Sequence, residues 1–79
     1  MSKDLSQILA GVFGLPASAI TPELTKDDVG TWDSLKQMDL VLSLEQNYGV
    51  TLEIGDIVRM TSVAEIKAVL TDKGLDVAA

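Results

Sequence analysis

The first apolar residues of the chain fall at Leu5, Ile8, Leu9, Val12 and Phe13, spaced i, i+3, i+4, i+7 and i+8, the stripe of an amphipathic helix with one face turned to a core. Ser2 can cap its start. Gly14 supplies a left-handed stop and Pro16 blocks continuation, so the pattern predicts a first helix from about Ser2 to Phe13. Residues 15–33 hold Pro16, Ser18, Pro22, Thr25, Gly30 and Thr31 without a sustained period and read as a loop. Its length is unusual unless its own side chains pack it, and Ile20, Leu24 and Val29 are spaced to do so.

A second helix is predicted over Ser34 to Tyr48, with Gly49 as terminator. It has more apolar residues than one face can hold. At roughly 100° per residue, Leu40, Val41, Leu44 and Tyr48 share one side, while Leu35, Met38 and Leu42 gather nearly opposite, flanked by Asp39 and Glu45. Only one stripe must face a core; the other either packs under later elements or stays exposed for a partner. Thr51 and Leu52 look extended, and Ile54 to Arg59 suits a short third helix. Ser62-Val63-Ala64-Glu65 matches a capping box, after which Val63, Ile66, Val69 and Leu70 form an inward face. Lys73-Gly74 should close this last helix with a cation and a left-handed stop. The expected fold is all-α, a small bundle of three main helices plus a short third one. It is a single domain over residues 1–79, ordered from about 2 to 74, with 75–79 expected to fray.

Composition narrows the function classes. The 79 residues include no cysteine and no histidine, which removes disulfides, thiolate nucleophiles, imidazole bases and nearly all zinc patterns. Self-contained catalysis is disfavoured. The net charge of −6 argues against nucleic acid and anionic membranes as partners and for a basic protein surface. No apolar run could span a bilayer and no secretion leader is visible, so a cytoplasmic monomer is expected. The excess acid lies in mid-chain: Asp27, Asp28, Asp33, Asp39, Glu45, Glu53 and Asp56 stand against Lys36 alone. That cluster reads either as solvated helix surface or as a field steering a cationic partner. Asp27-Asp28 lacks the alternating oxygen ligands of a calcium loop.

Asp33-Ser34-Leu35 stands where the loop meets the second helix. Asp and Ser are favoured capping types, and nothing nearby could activate Ser34 as a nucleophile, since Lys36 is a poor base at a solvated position. A phosphate ester on Ser34 would nevertheless gain from the free N–H groups and positive dipole end of the helix. A flexible arm leaving it would lie along Leu35 and Met38. Trp32 reads as a loop aromatic that lids the core and gives its indole N–H to a backbone carbonyl.

At these residues the sequence resembles the acyl carrier proteins and the related aminoacyl and peptidyl carrier domains. The resemblance rests on Asp33-Ser34-Leu35, the Asp39-Leu40-Val41 and Leu44-Glu45 run, the Tyr48-Gly49-Val50 helix end and the Thr61-Ser62-Val63 start, in this order and length. It implies that a phosphopantetheinyl transferase attaches 4'-phosphopantetheine from coenzyme A to Ser34, with Asp33 helping to position the transfer. The arm's thiol would then bear acyl groups as thioesters, so that the protein is a carrier and not an enzyme. The resemblance also maps Leu35, Met38 and Leu42 to apolar contacts and Asp39 and Glu45 to acidic contacts with basic docking surfaces. Those surfaces would belong to an acyl-loading or adenylating ligase and to acyltransferase or ketosynthase-type enzymes. The chain departs from the fatty-acid carriers in Trp32, directly before the Asp, and in the cationic Lys36. Trp-Asp-Ser-Leu looks more like stand-alone carriers of specialised pathways. Fatty-acyl, polyketide and aminoacyl or peptidyl cargo remain open, as does an unmodified helical interaction module in which Ser34 is only a cap.

Overall fold

The computed structural model describes residues 4–75. Among them the chain forms four α-helices: α1 (Leu5–Phe13), α2 (Ser34–Tyr48), the short α3 (Ile54–Arg59) and α4 (Val63–Asp72). This is the all-α arrangement that the periodicity predicts. α1 starts at Leu5 because the Asp4 carboxylate accepts the Gln7 N–H at 3.0 Å; the cap expected at Ser2 lies outside the described residues. Gly14 and Gly49, at φ 69° and 66°, take the left-handed conformation that ends α1 and α2 and that a β-carbon would disfavour. No helix among the described residues is long and apolar enough to cross a membrane.

The segment between α1 and α2 contains two 3₁₀ turns, Ala17–Ala19 and Lys26–Asp28, which its sequence does not signal. Ile20 and Val29 are buried and Leu24 is half-buried, as their spacing predicts. The segment is also pinned by its backbone. Val63 N–H donates to the Leu24 carbonyl at 2.9 Å, Ala64 N–H to Pro22 at 3.2 Å, and Lys26 N–H to Thr61 at 3.0 Å. The free amides at the start of α4, which any helix must satisfy outside itself, thus find their acceptors in the loop.

The capping box expected at Ser62 forms only by half. Ser62 Oγ accepts the Glu65 N–H at 3.1 Å, but the Glu65 carboxylate turns away to Arg59 Nε at 3.0 Å, a charged partner being a stronger donor than a neutral amide. At the other end of α4, Gly74 takes φ 87°, while the Lys73 amine reaches across to Asp56 of α3 at 2.8 Å. Leu75 packs against the core and its N–H meets the Leu70 carbonyl at 3.1 Å, so it is not part of a frayed tail; residues 76–79 lie outside the described residues.

One core joins the helices. Leu5, Leu9, Leu40, Leu44, Met60, Val63, Ile66, Val69 and Leu70 are fully enclosed. Trp32 belongs to the same core and stacks against Phe13 with ring centroids 4.4 Å apart. Its indole N–H does not go to a backbone carbonyl as expected. It donates to Gln37 Oε1 at 2.6 Å, and Gln37 Nε2 in turn donates to the Ile57 and Met60 carbonyls at 2.8 and 3.2 Å. This buried glutamine is polar in a face otherwise filled by leucine and valine. Its three bonds tie the loop, α2 and the end of α3 together, and each would leave an unmet polar group if broken. Gln37→Leu is expected to lower stability by about 1–3 kcal/mol, read as a shift of the urea midpoint. An unchanged midpoint would show that the bridge contributes nothing net.

α3 has no fully buried side chain and is held to α4 by ion pairs. Arg59 bonds both Glu65 and Asp72, at 3.0 and 2.7 Å, and Asp56 bonds Lys73. The bond from Lys73, with that from the Glu53 N–H, holds the Asp56 carboxyl below its ordinary value of 3.8, and the bond to Asp56 raises the Lys73 amine above 10.5. A carboxyl lowered on folding stabilises the fold above its ordinary pKa and loses that contribution as pH falls through the folded value. Wild type should therefore melt above Asp56→Asn at neutral pH, and the gap should close as the pH drops below 3.8. Melting curves with a gap constant through that range would show that the pair does not titrate with folding.

Candidate functional site

Trp32 is drawn into the core immediately before α2, and this anchors the turn that follows. Trp32 N–H donates to the Val29 carbonyl at 3.0 Å and Asp33 N–H to Thr31 at 2.9 Å. Asp33 then leaves the interior in an extended conformation and caps α2, its carboxylate accepting the Lys36 N–H at 2.9 Å and its carbonyl the Gln37 N–H at 2.8 Å. Ser34 is the first helical residue and is exposed. The capping role that the sequence allowed for either residue falls to Asp33. The Ser34 hydroxyl is left outside the cap.

The helix start also fits a phosphate. The Ser34 and Leu35 amides precede any carbonyl that could accept them within the helix, so they face the region just ahead of α2, where the dipole favours negative charge. A phosphodiester on Ser34 Oγ would sit beside these donors without entering the core. Among the described residues the nearest candidate base is the Asp33 carboxylate, whose Oδ1 is engaged by the Lys36 N–H, and the sequence holds no histidine. A modifying reaction at Ser34 would need an outside enzyme.

Beside Ser34 the second stripe of α2 is open to solvent: Leu35 is 79% exposed, Met38 51% and Leu42 52%. The alternative of packing under later elements does not occur. On α3, Ile54 and Val58 are exposed as well, 80% and 70%, which the sequence reading did not single out. Their i, i+4 spacing was the available signal, but it is ambiguous for a six-residue helix.

The two acidic residues flanking the stripe differ. Asp39 is exposed and meets Lys36 Nζ only at 3.8 Å, an i, i+3 pair with little holding force. Glu45 is half-buried, and its carboxylate accepts the Leu52 N–H at 2.9 Å, which fixes the chain after α2. Its charge borders the surface while one oxygen is committed to structure.

Comparison with known proteins gives the family. Residues 3–70 match the family model described as a phosphopantetheine attachment site. An acyl carrier protein of an Exiguobacterium species is 34% identical over 71 residues, covering 89% of each chain. The solution NMR structure of a holo acyl carrier protein from Geobacter metallireducens superposes with a TM-score of 0.78 at 29% identity, over 87% of this chain and 79% of that one. The chain belongs to the acyl carrier protein family. It is a carrier protein, and its cofactor is covalently attached phosphopantetheine.

Charge reversal separates the two flanking acids. Asp39→Lys should leave the melting temperature nearly unchanged, whereas Glu45→Lys should cost about 0.5–1.5 kcal/mol through the lost bond to Leu52. Equal losses in thermal melts of the two variants would contradict this division.

Proposed function

We propose that Ser34 is the residue that carries the phosphopantetheine arm, and that the loaded protein shuttles acyl groups between a loading ligase and acyltransferase or ketosynthase-type enzymes. The observation that carries the assignment is that Asp33 caps α2 and leaves the neighbouring Ser34 hydroxyl exposed at the first helical position. In the attachment step the serine oxygen forms an ester bond to the phosphorus that bears pantetheine as the phosphoanhydride of coenzyme A breaks, and adenosine 3',5'-bisphosphate leaves. The hydroxyl proton passes to the transferase. Asp33 holds the serine at a fixed height above the core, with Trp32 as the buried anchor behind it. When bound, the arm supplies the thiol that this cysteine-free chain lacks and holds the acyl group as a thioester.

For partner docking we assign the apolar contacts to Leu35, Met38 and Leu42, extended by Ile54 and Val58, and the acidic contact to Asp39. Glu45 contributes charge at the edge of this surface. A basic rim around an apolar depression on the partner would complement it. The interaction-module alternative, in which Ser34 only caps, loses its main support because the cap is Asp33.

The test is intact-mass measurement after incubation with coenzyme A and a broad-specificity phosphopantetheinyl transferase. Wild type should gain one phosphopantetheinyl unit and Ser34→Ala none. A folded wild-type protein that gains no mass, or a Ser34→Ala variant that still does, would refute the assignment.

A further inference from the structure

With no cysteine in the chain, its sulfur is confined to three methionines, Met1, Met38 and Met60. Met1 lies outside the described residues. The other two stand in opposite surroundings: Met60 is 0% exposed and belongs to the core, whereas Met38 is 51% exposed on α2. Oxidation of a thioether by a peroxide follows its access to solvent, so the fold shields one sulfur and offers the other.

Met38 also holds a particular place. It lies one turn beyond Ser34, at i+4, with Leu35 three residues before it and Leu42 four residues after it, both exposed. That spacing sets it between the two leucines on one face of the helix. A thioether suits a face that a partner covers, being apolar, polarisable and able to fit an irregular surface. Oxidation reverses that character. The sulfur lone pair attacks a peroxide oxygen, the O–O bond breaks, and a sulfoxide and a water result; the sulfur gives up two electrons and the peroxide takes them. The S–O group left on the strip is strongly polar and loses its water when a partner covers it, with no partner donor provided for it. The fold is untouched by the same change, because the residues that α2 buries are Gln37, Leu40, Val41 and Leu44.

We infer that Met38 is a reversible oxidation site. A peroxide converts it selectively to the sulfoxide, which weakens docking beside the root of the arm without disturbing the helices. A methionine sulfoxide reductase restores the thioether, as two thiols are oxidised to a disulfide and the oxygen leaves as water. The inference rests on the docking role proposed for Leu35, Met38 and Leu42 and adds a means of control to that surface.

Trypsin cuts after Lys36, Arg59 and Lys67, so Met38 and Met60 fall in separate peptides, 37–59 and 60–67. In folded apo-protein treated with hydrogen peroxide, the first peptide should gain one oxygen about tenfold faster than the second, and in denaturant the two rates should converge. The protein oxidised at Met38 should be loaded from coenzyme A by a broad-specificity phosphopantetheinyl transferase with kcat/KM lowered about tenfold. It should melt within about 2 °C of the untreated form and regain its rate after methionine sulfoxide reductase with dithiothreitol. Met38→Leu, compared with itself before and after peroxide, should lose none of its rate. Equal oxidation of Met38 and Met60 in the folded protein, or an unchanged loading rate of the sulfoxide form, would overturn the inference. Met38→Asp tells this failure from that of the docking role: if it slows loading where the sulfoxide does not, only the oxidation site falls, and if neither slows loading the docking assignment of Met38 falls as well.

Discussion

The Gln37 side chain resolves two needs that the rest of the fold cannot meet. Trp32 must bury its indole to hold the loop against the core, and an indole N–H inside a protein requires an acceptor. α3 is too short, and too poor in buried side chains, to be fixed by hydrophobic packing alone. One amide serves both, with its oxygen taking the indole N–H and its nitrogen donating to two carbonyls at the end of α3. Every hydrogen of that amide is used, which is the condition under which a buried polar group adds order and is not a defect.

From this bridge the exposed end of α2 follows. Because Trp32 is fixed, Asp33 emerges from the core at a defined point and can only cap the helix that begins beyond it. Ser34 is thereby presented on a rigid platform with its hydroxyl unused. For the attachment proposed at Ser34, this arrangement leaves the arm free to swing while its root keeps one geometry for a modifying enzyme. The loop before α2 contributes to the same rigidity, because its carbonyls are consumed by the first amides of α4.

The acidic excess has a double use. Of the seven carboxylates between Asp27 and Asp56, four accept backbone amides: Asp28 from Thr25, Asp33 from Lys36, Glu45 from Leu52 and Asp56 from Glu53. They end or start local structure, as carboxylates near helix starts and turns do. Their charge is not cancelled by accepting an N–H, so they still add to the negative potential around α2. Asp39 stands beside the open apolar strip as a carboxylate with only a distant lysine for company.

Much of this was legible in the chain. The bounds of α2 and α3, the glycine stops, the two-sided character of α2 and the prominence of Asp33-Ser34-Leu35 follow from periodicity and capping chemistry, which act over a few neighbouring residues. Family resemblance reached the cofactor by the same local motif. What the linear pattern could not supply is pairing between distant groups. Gln37 looked like one more polar residue because its partners are Trp32 and carbonyls 20 and 23 residues away, and carbonyls leave no mark in a sequence. Glu65 broke its capping box and Lys73 left its helix end because charged partners on another element were within reach. Whether the second stripe of α2 would be covered depended on where α3 settled. That position is set by the Gln37 bridge and the ion pairs to α4, which exist only once the helices have come together.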